Sequence, residues 1–130
     1  MKKIAVLCVL ALLLCGCRPK VPEPVHRVVT GIQVEFQQNG NALFRTYNRQ
    51  ESIQSVLTYL RLLRPFGPVI PEGEHDLNCR ITLKYSHGPD SVIVQQGYDY
   101  LRRDDNDWEQ IDDAQAQLLY PMLLLLPSEG

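Results

Sequence analysis

A strict alternation of apolar and polar residues between positions 77 and 86 constrains the fold more than any other feature of the sequence. One parity is apolar throughout: Leu77, Cys79, Ile81, Leu83 and Tyr85. The other parity is polar or charged: Asn78, Arg80, Thr82, Lys84 and Ser86. Because successive side chains of a strand point to opposite faces, this pattern predicts a strand with one buried face and one solvated face. Such strands are typical of antiparallel sheets that have a core on one side only.

Two further strands are predicted before this one. Residues 28–36 alternate in the same way, and residues 42–47 return after a turn at Gln38-Asn39-Gly40. If that loop has three residues, Val34 faces Phe44 and Arg45 points to solvent. A slip by one residue would bury Arg45, so we prefer the three-residue loop.

The second half of the chain predicts a meander of short antiparallel strands. After residues 77–86, strands are expected at 91–96, 98–103 and 108–111, separated by Gly97 and by the turn sequence DDND.

Two amphipathic helices are predicted. The first is capped by Asn48 with Glu51 and ends at Pro65, and its apolar face is Ile53, Val56, Leu57, Leu60 and Leu63. The second is capped by Asp112 with Gln115, and its apolar stripe is Leu118, Leu119, Met122, Leu125 and Leu126. Pro121 lies inside the second helix, so we expect a kink or two short helices there.

The element order ββα-ββββα predicts an α+β fold, in which two helices pack on one face of an antiparallel sheet. We expect a single domain over residues 27–130, because about 105 residues suffice for one core and not for two. The similar helix endings LRLLRP and MLLLLP leave open whether the two halves are a true repeat.

The N-terminus has the order of a secretory signal. Lys2 and Lys3 precede an uncharged apolar run of about 11 residues, whereas a membrane-spanning helix needs roughly 20. We therefore expect this run to be removed and not to remain as a transmembrane helix.

The stretch Leu14-Cys15-Gly16-Cys17 resembles the lipobox of bacterial prolipoproteins. The resemblance implies that residues 1–16 are cleaved and that Cys17 carries acyl chains such as palmitate. It implies an extracytoplasmic protein anchored to a bacterial membrane, either the cell membrane or the outer membrane. An ordinary signal peptide with incidental cysteines is the alternative. Nothing after residue 17 resembles a family that we can name.

Residues 17–26 are predicted to be a lipidated cysteine followed by a spacer, because RPKVPEPV contains three prolines and no apolar periodicity. Lys2 and Lys3 leave with the signal, so the formal charge falls from −2 to −4. A modestly acidic domain is poorly suited to bind nucleic acid. Only Cys79 then remains as a free cysteine, so no disulfide is expected within the mature chain.

Catalytic and metal-binding patterns are weak. The serines lie in no nucleophile motif, His26, His75 and His87 are scattered, and the sequence predicts no cofactor. Cys79 has the parity of the core, which favours packing over chemistry. The acidic cluster of residues 104–109 lacks the ligand order of an EF-type calcium loop, so a solvated turn is favoured, although calcium binding stays open.

The sheet face without helices is the candidate binding surface. Strand parity places the following residues there: Gln33, Glu35, Arg45, Tyr47, Arg80, Thr82, Lys84, Ile93 and Gln95, with Tyr98 and Tyr100 on this face or in the core. The residues proposed for binding are Arg45, Tyr47, Arg80, Lys84 and Gln95. We expect a non-enzymatic module that binds an envelope or surface protein. The alternatives are a structural or accessory subunit of an envelope complex and a small thiol-dependent enzyme that uses Cys79.

Overall fold

A computed structural model describes residues 27–73, 75 and 77–129. The predicted signal peptide, the lipidation of Cys17 and the whole of the predicted spacer lie outside the described residues. Within them, no helix has the length and apolar character needed to cross a membrane.

The described residues form an antiparallel six-stranded sheet and two helices. In chain order the elements are β1 (Val29–Gln38), β2 (Asn41–Tyr47), α1 (Gln50–Leu62), β3 (Leu77–Tyr85), β4 (Ser91–Gln96), β5 (Tyr100–Arg103), β6 (Glu109–Gln110) and α2 (Asp113–Leu124). The strand order across the sheet is β2-β1-β3-β4-β5-β6. This confirms the predicted α+β class and the element order ββα-ββββα.

The core lies between the sheet and the two helices. The alternation in β3 is confirmed, since Cys79, Ile81 and Leu83 are buried while Arg80 is exposed. β1 contributes Ile32, Val34 and Phe36 to the same side. The helices cover this side with Ile53, Val56, Tyr59, Leu60, Leu63, Ala116, Tyr120 and Leu123.

The turn between β1 and β2 has two residues, so the predicted three-residue loop is wrong. Asn39 and Gly40 both have positive φ, at 52° and 81°, and Gln38 pairs with Asn41. Two left-handed residues form a turn whose twist matches that of the strands, which favours the shorter connection. Val34 therefore lies opposite Arg45 and not opposite Phe44. Every side chain of β2 lies on the face opposite to the predicted one.

α1 buries the predicted side chains Ile53, Val56, Leu60 and Leu63, but its predicted cap is wrong. The cap residue is Arg49, whose side chain makes no capping hydrogen bond. The carboxylate of Glu129 takes this role by accepting from the N–H groups of Asn48 and Arg49.

α2 is one helix that contains Pro121, and its predicted cap is confirmed: the Asp112 carboxylate accepts from the Gln115 N–H at 3.2 Å. Its predicted apolar face is wrong in part: Leu119 and Leu126 pack against the core, but Leu118, Met122 and Leu125 are exposed. Ala116, Tyr120 and Leu123 are buried, whereas Leu118 is 79% exposed. Tyr120 packs edge-on against Phe36 and Tyr98, with ring centroids 6.1 and 5.8 Å away. These aromatic contacts favour the buried orientation of Tyr120 over that of the leucines.

Candidate binding face of the sheet

The open face is the side of the sheet opposite α1 and α2. We define it by ten of the residues whose register places them on that side: Gln33, Glu35, Phe44, Thr46, Arg80, Thr82, Lys84, Val92, Val94 and Arg102. Five of them were not predicted as candidate residues: Phe44, Thr46, Val92, Val94 and Arg102.

A single row of side chains crosses five strands of the open face. Strand pairing joins Phe44 to Glu35, Glu35 to Arg80, Arg80 to Val94, and Val94 to Arg102. With neighbouring strands about 4.8 Å apart, the row spans roughly 19 Å. It continues to Trp108, because the Arg102 guanidinium carbon lies 5.7 Å from the centroid of the indole ring. The row thus alternates aromatic, acidic, basic and aliphatic groups.

A depression of about 170 Å³ lies at the β2 end of this row. Its lining is Gln33, Val34, Glu35, Phe44, Arg45, Thr46, Arg80 and Thr82. Phe44 is 69% exposed, which is unusual for an aromatic side chain on a strand. Exposed aromatic and arginine side chains are enriched among the residues that dominate protein interfaces.

The cations of the open face differ in how they are paired. Lys84 forms an ion pair with Asp90 at 3.9 Å, and Arg102 forms one with Asp105 at 3.6 Å. Within the part of the chain that the structure describes, Arg80 forms neither an ion pair nor a side-chain hydrogen bond. Its guanidinium is therefore the group of this face most available to an incoming acceptor.

Arg80 and Lys84 are on the open face as predicted, but Arg45 and Tyr47 are on the helix side. Arg45 donates to the carbonyls of Leu124 and Leu126 at the end of α2, the latter at 2.9 Å. Tyr47 is fully buried and donates its hydroxyl to the Leu126 carbonyl at 2.8 Å, and burial raises its pKa. The physical reason is the two-residue turn, which reverses the parity of β2. Arg45 tolerates this side because carbonyls at a helix C-terminus accept its N–H groups.

Gln95 is also wrongly predicted, since it is only 1% exposed and faces the helices. It lies opposite Cys79, and neighbouring Ile93 on the same face is likewise buried. Its amide accepts from the Tyr59 hydroxyl at 2.6 Å and donates to the Gly97 carbonyl at 2.9 Å. These two hydrogen bonds explain how a polar residue occupies a core position. Tyr98 packs toward the core, and Tyr100 has the parity of the open face.

The Cys79 thiol is buried within the core, as its parity predicted. Burial raises its pKa to about 12. Near neutral pH the group is therefore a protonated thiol without access to solvent, whereas a nucleophilic cysteine needs an accessible thiolate.

The acidic cluster of residues 104–109 is held in the turn after β5. Asp104 accepts from the Val92 N–H at 2.9 Å and from the Ser91 hydroxyl at 3.1 Å. Asp105 pairs with Arg102. Among the described residues, no group of three or more histidine, cysteine, aspartate or glutamate side chains is arranged to hold a metal ion.

Comparison with known proteins adds nothing to this geometry. No protein-family model, no curated protein and no solved structure matches the chain.

Proposed function

We propose that this chain is a lipoprotein of the bacterial envelope, anchored through acyl chains on Cys17, whose domain binds an envelope protein through the open face without catalysing a reaction. The observation that carries the binding proposal is the combination of the exposed Phe44 with the unpaired Arg80, which lies two strands away across Glu35 in a row that crosses five strands.

The anchor is supported by the sequence alone. Gly16 before Cys17 fits the small residue that precedes a lipidated cysteine, and two or three acyl chains give stable membrane binding where one does not. The chemistry of the open face suits a protein partner that supplies a carboxylate for Arg80 and an apolar group for Phe44. Each is an anchor type with a large contribution at interfaces.

The test is a pair of double variants of the full chain. Phe44→Ser with Arg80→Ser removes both anchors from the open face, and we expect loss of the partner in affinity purification from detergent-solubilised envelope. Arg61→Ser with Leu118→Ser is the matched control, because it removes one exposed arginine and one exposed apolar side chain from the helices. Both pairs are surface changes, so the free energy of unfolding, measured with urea, should change by no more than about 0.5 kcal/mol per substitution.

The control also tests a second function, an accessory subunit that is bound through its helices. This alternative is favoured by the exposed side chains Leu118, Met122 and Leu125, which recur on one side of α2. Loss of the partner in the helix variant, with full recovery in the Phe44/Arg80 variant, would reject the open face and support the accessory-subunit proposal.

A further inference from the structure

A groove of about 640 Å³ lies beside β5 and β6, at the far end of the sheet from Phe44. Its lining is Pro68, Val69, Ile70, Pro71, Arg102, Asp105, Asn106, Asp107 and Trp108. One wall is the loop after α1, fixed to the strands by the hydrogen bond from the Val69 N–H to the Trp108 carbonyl at 2.9 Å. The other wall carries the indole ring and the acidic turn.

The groove combines apolar surface with negative charge. Ile70 is 85% exposed, and Trp108 is half-buried at the groove wall. Asp105 is paired with Arg102, whereas Asp107 forms no ion pair within the described residues. An occupant that fits this surface would offer apolar ridges to the indole ring and a cation to Asp107. Aromatic-lined grooves of this kind bind proline-rich segments in the polyproline II conformation.

Residues 18–26 of this chain, RPKVPEPVH, have that chemistry. Polyproline II has three residues per turn, so Pro19, Pro22 and Val25 would share one side of the segment. Arg18 and Lys20 supply two positive charges against the single negative charge of Glu23. The segment thus offers prolines that can pack on the Trp108 indole ring and cations that can pair with Asp107, which favours it as the occupant.

The position at which the described chain begins is the second argument. The Arg27 guanidinium lies 3.9 Å from the centroid of the Tyr85 ring and donates to the Pro89 carbonyl, so the chain enters the domain beside the β3–β4 turn. The turn is followed by Ser91, whose hydroxyl donates to the Asp104 carboxylate. Asp104 directly precedes Asp105, which lines the groove.

The distances are compatible. β1, β3, β4, β5 and β6 follow one another across the sheet, so the groove is three or four strand spacings from Arg27, which precedes β1, or roughly 14–19 Å. In polyproline II, Pro22 is five residues and about 15 Å from Arg27, and Pro19 is eight residues and about 25 Å away. The segment is therefore long enough for Pro22 to reach the near side of the groove and for Pro19 to lie within it.

We propose that the segment 18–26 binds, through residues 18–22, in the groove between residues 68–71 and Trp108, and so fixes the orientation of the domain relative to its N-terminal segment. This interaction depends only on the presence of residues 18–26 and not on lipidation of Cys17. It leaves the Phe44 end of the open face accessible to a partner.

The chain offers a specific probe, because Trp108 is its only tryptophan. We would measure acrylamide quenching of its fluorescence in the purified full chain, from whichever cell fraction contains it. Pro19→Ser with Pro22→Ser should raise the quenching constant by about two-fold, since the occupant covers one of the two faces of the ring. Pro127→Ser is the matched control, because Pro127 is an exposed proline away from the groove and should leave quenching unchanged. Equal quenching in the wild type and the double variant would overturn the proposal.

Photo-crosslinking identifies the occupant directly. A benzophenone side chain at position 22 should crosslink, within one molecule at high dilution, to residues 68–71 or 105–108. Crosslinks that form only between two copies would overturn the proposal in favour of a second chain as the occupant. Crosslinks confined to other parts of the domain would overturn it outright.

Discussion

Within the core, a hydrogen bond between Tyr59 and Gln95 joins α1 to the sheet. Both side chains are almost fully buried, and the hydroxyl donates to the amide oxygen at 2.6 Å. Burial raises the pKa of Tyr59, so its hydroxyl stays a donor throughout the physiological range. A hydrogen bond in such surroundings contributes modestly when made, but an unpaired partner is costly.

We predict that Gln95→Leu lowers the free energy of unfolding by about 1–3 kcal/mol, because the Tyr59 hydroxyl and the Gly97 carbonyl lose their partner. Tyr59→Phe should also be destabilising. The double variant should lose less than the sum, since the unpaired hydroxyl is then absent. Urea unfolding of the four proteins gives the coupling energy, and strictly additive losses would mean that the bond is not formed.

Prediction of the open face failed for β2 and for β4, and it was correct for β1 and β3. The alternation of β3 placed Arg80 and Lys84 correctly. For β2, we preferred the register that keeps Arg45 out of the core, although Asn39-Gly40 is a typical two-residue hairpin turn. That register placed Phe44 on the core side, so it was not predicted on the open face. The side chain of Arg45 is long enough to leave the core and reach the carbonyls of α2, which is why its burial is tolerated. For Gln95 the sequence carried no sign of its partner, because Tyr59 lies on another element.

At the level of elements, Ser128 and Glu129 connect the segment after α2 to β2 and to the beginning of α1. The Glu129 N–H donates to the Thr46 carbonyl at 2.8 Å, and the Thr46 N–H donates to the Ser128 hydroxyl at 3.1 Å. The Glu129 carboxylate accepts from the N–H groups of Asn48 and Arg49, at 2.7 and 2.9 Å, and from the Ser52 hydroxyl at 2.9 Å. A charged acceptor at a helix N-terminus forms stronger hydrogen bonds than a neutral amide, and it is favoured by the helix dipole.

We predict that Glu129→Gln destabilises the domain in a pH-dependent way. The Arg49 N–H, together with the Asn48 N–H and the Ser52 hydroxyl, lowers the pKa of Glu129 below its ordinary value of 4.5. A lowered pKa in the folded state gives stability that is present above 4.5 and is lost as the pH falls through the folded-state pKa. The difference in urea midpoint between wild type and variant should therefore be constant near neutral pH and disappear in acid.

Glu51→Gln is the matched control for this prediction, because Glu51 lies in the first turn of α1 without a capping contact. It should change the midpoint less than Glu129→Gln at neutral pH. An equal effect of the two substitutions would show that the helix dipole alone, and not the capping geometry, accounts for the stabilisation.

The buried face of a helix can be predicted from the sequence when its two sides differ clearly in polarity. α1 has one apolar and one charged face, so the sequence identified Ile53, Val56, Leu60 and Leu63 as buried, although it missed the buried Tyr59. α2 is rich in leucine on several sides, so periodicity could not select the face that carries Tyr120 and Leu123. The aromatic contacts of Tyr120 with Phe36 and Tyr98 decide the orientation, and they join residues far apart in the sequence.

At the level of the whole molecule, segments of the chain contact both outer strands of the sheet. Residues 128 and 129 bond to β2 at Thr46. Residues 66–69 bond to Gln110 of β6 and to Trp108 through Phe66, Gly67 and Val69. These contacts cover part of each edge and so reduce the backbone that is open to strand addition by other chains. Recognition is therefore expected mainly at side-chain surfaces, namely the open face and the groove beside Trp108.

The same organisation separates folding from anchoring. The buried core side chains of the described residues lie between Ile32 and Leu123, well after Cys17.

We predict that Cys17→Ser releases the protein from the membrane fraction, because it removes the sulfur that would carry the acyl chains, and that it leaves the urea midpoint of the domain unchanged. Cys15→Ser is the matched control and should leave the protein membrane-bound, since Leu14 before Cys15 does not fit the lipobox. Fractionation with and without detergent, followed by intact-mass measurement, decides the outcome. Membrane retention of the Cys17→Ser protein, or an unmodified mature chain that begins at another residue, would reject the lipoprotein proposal, whereas a lowered midpoint would show that the N-terminal segment contributes to folding.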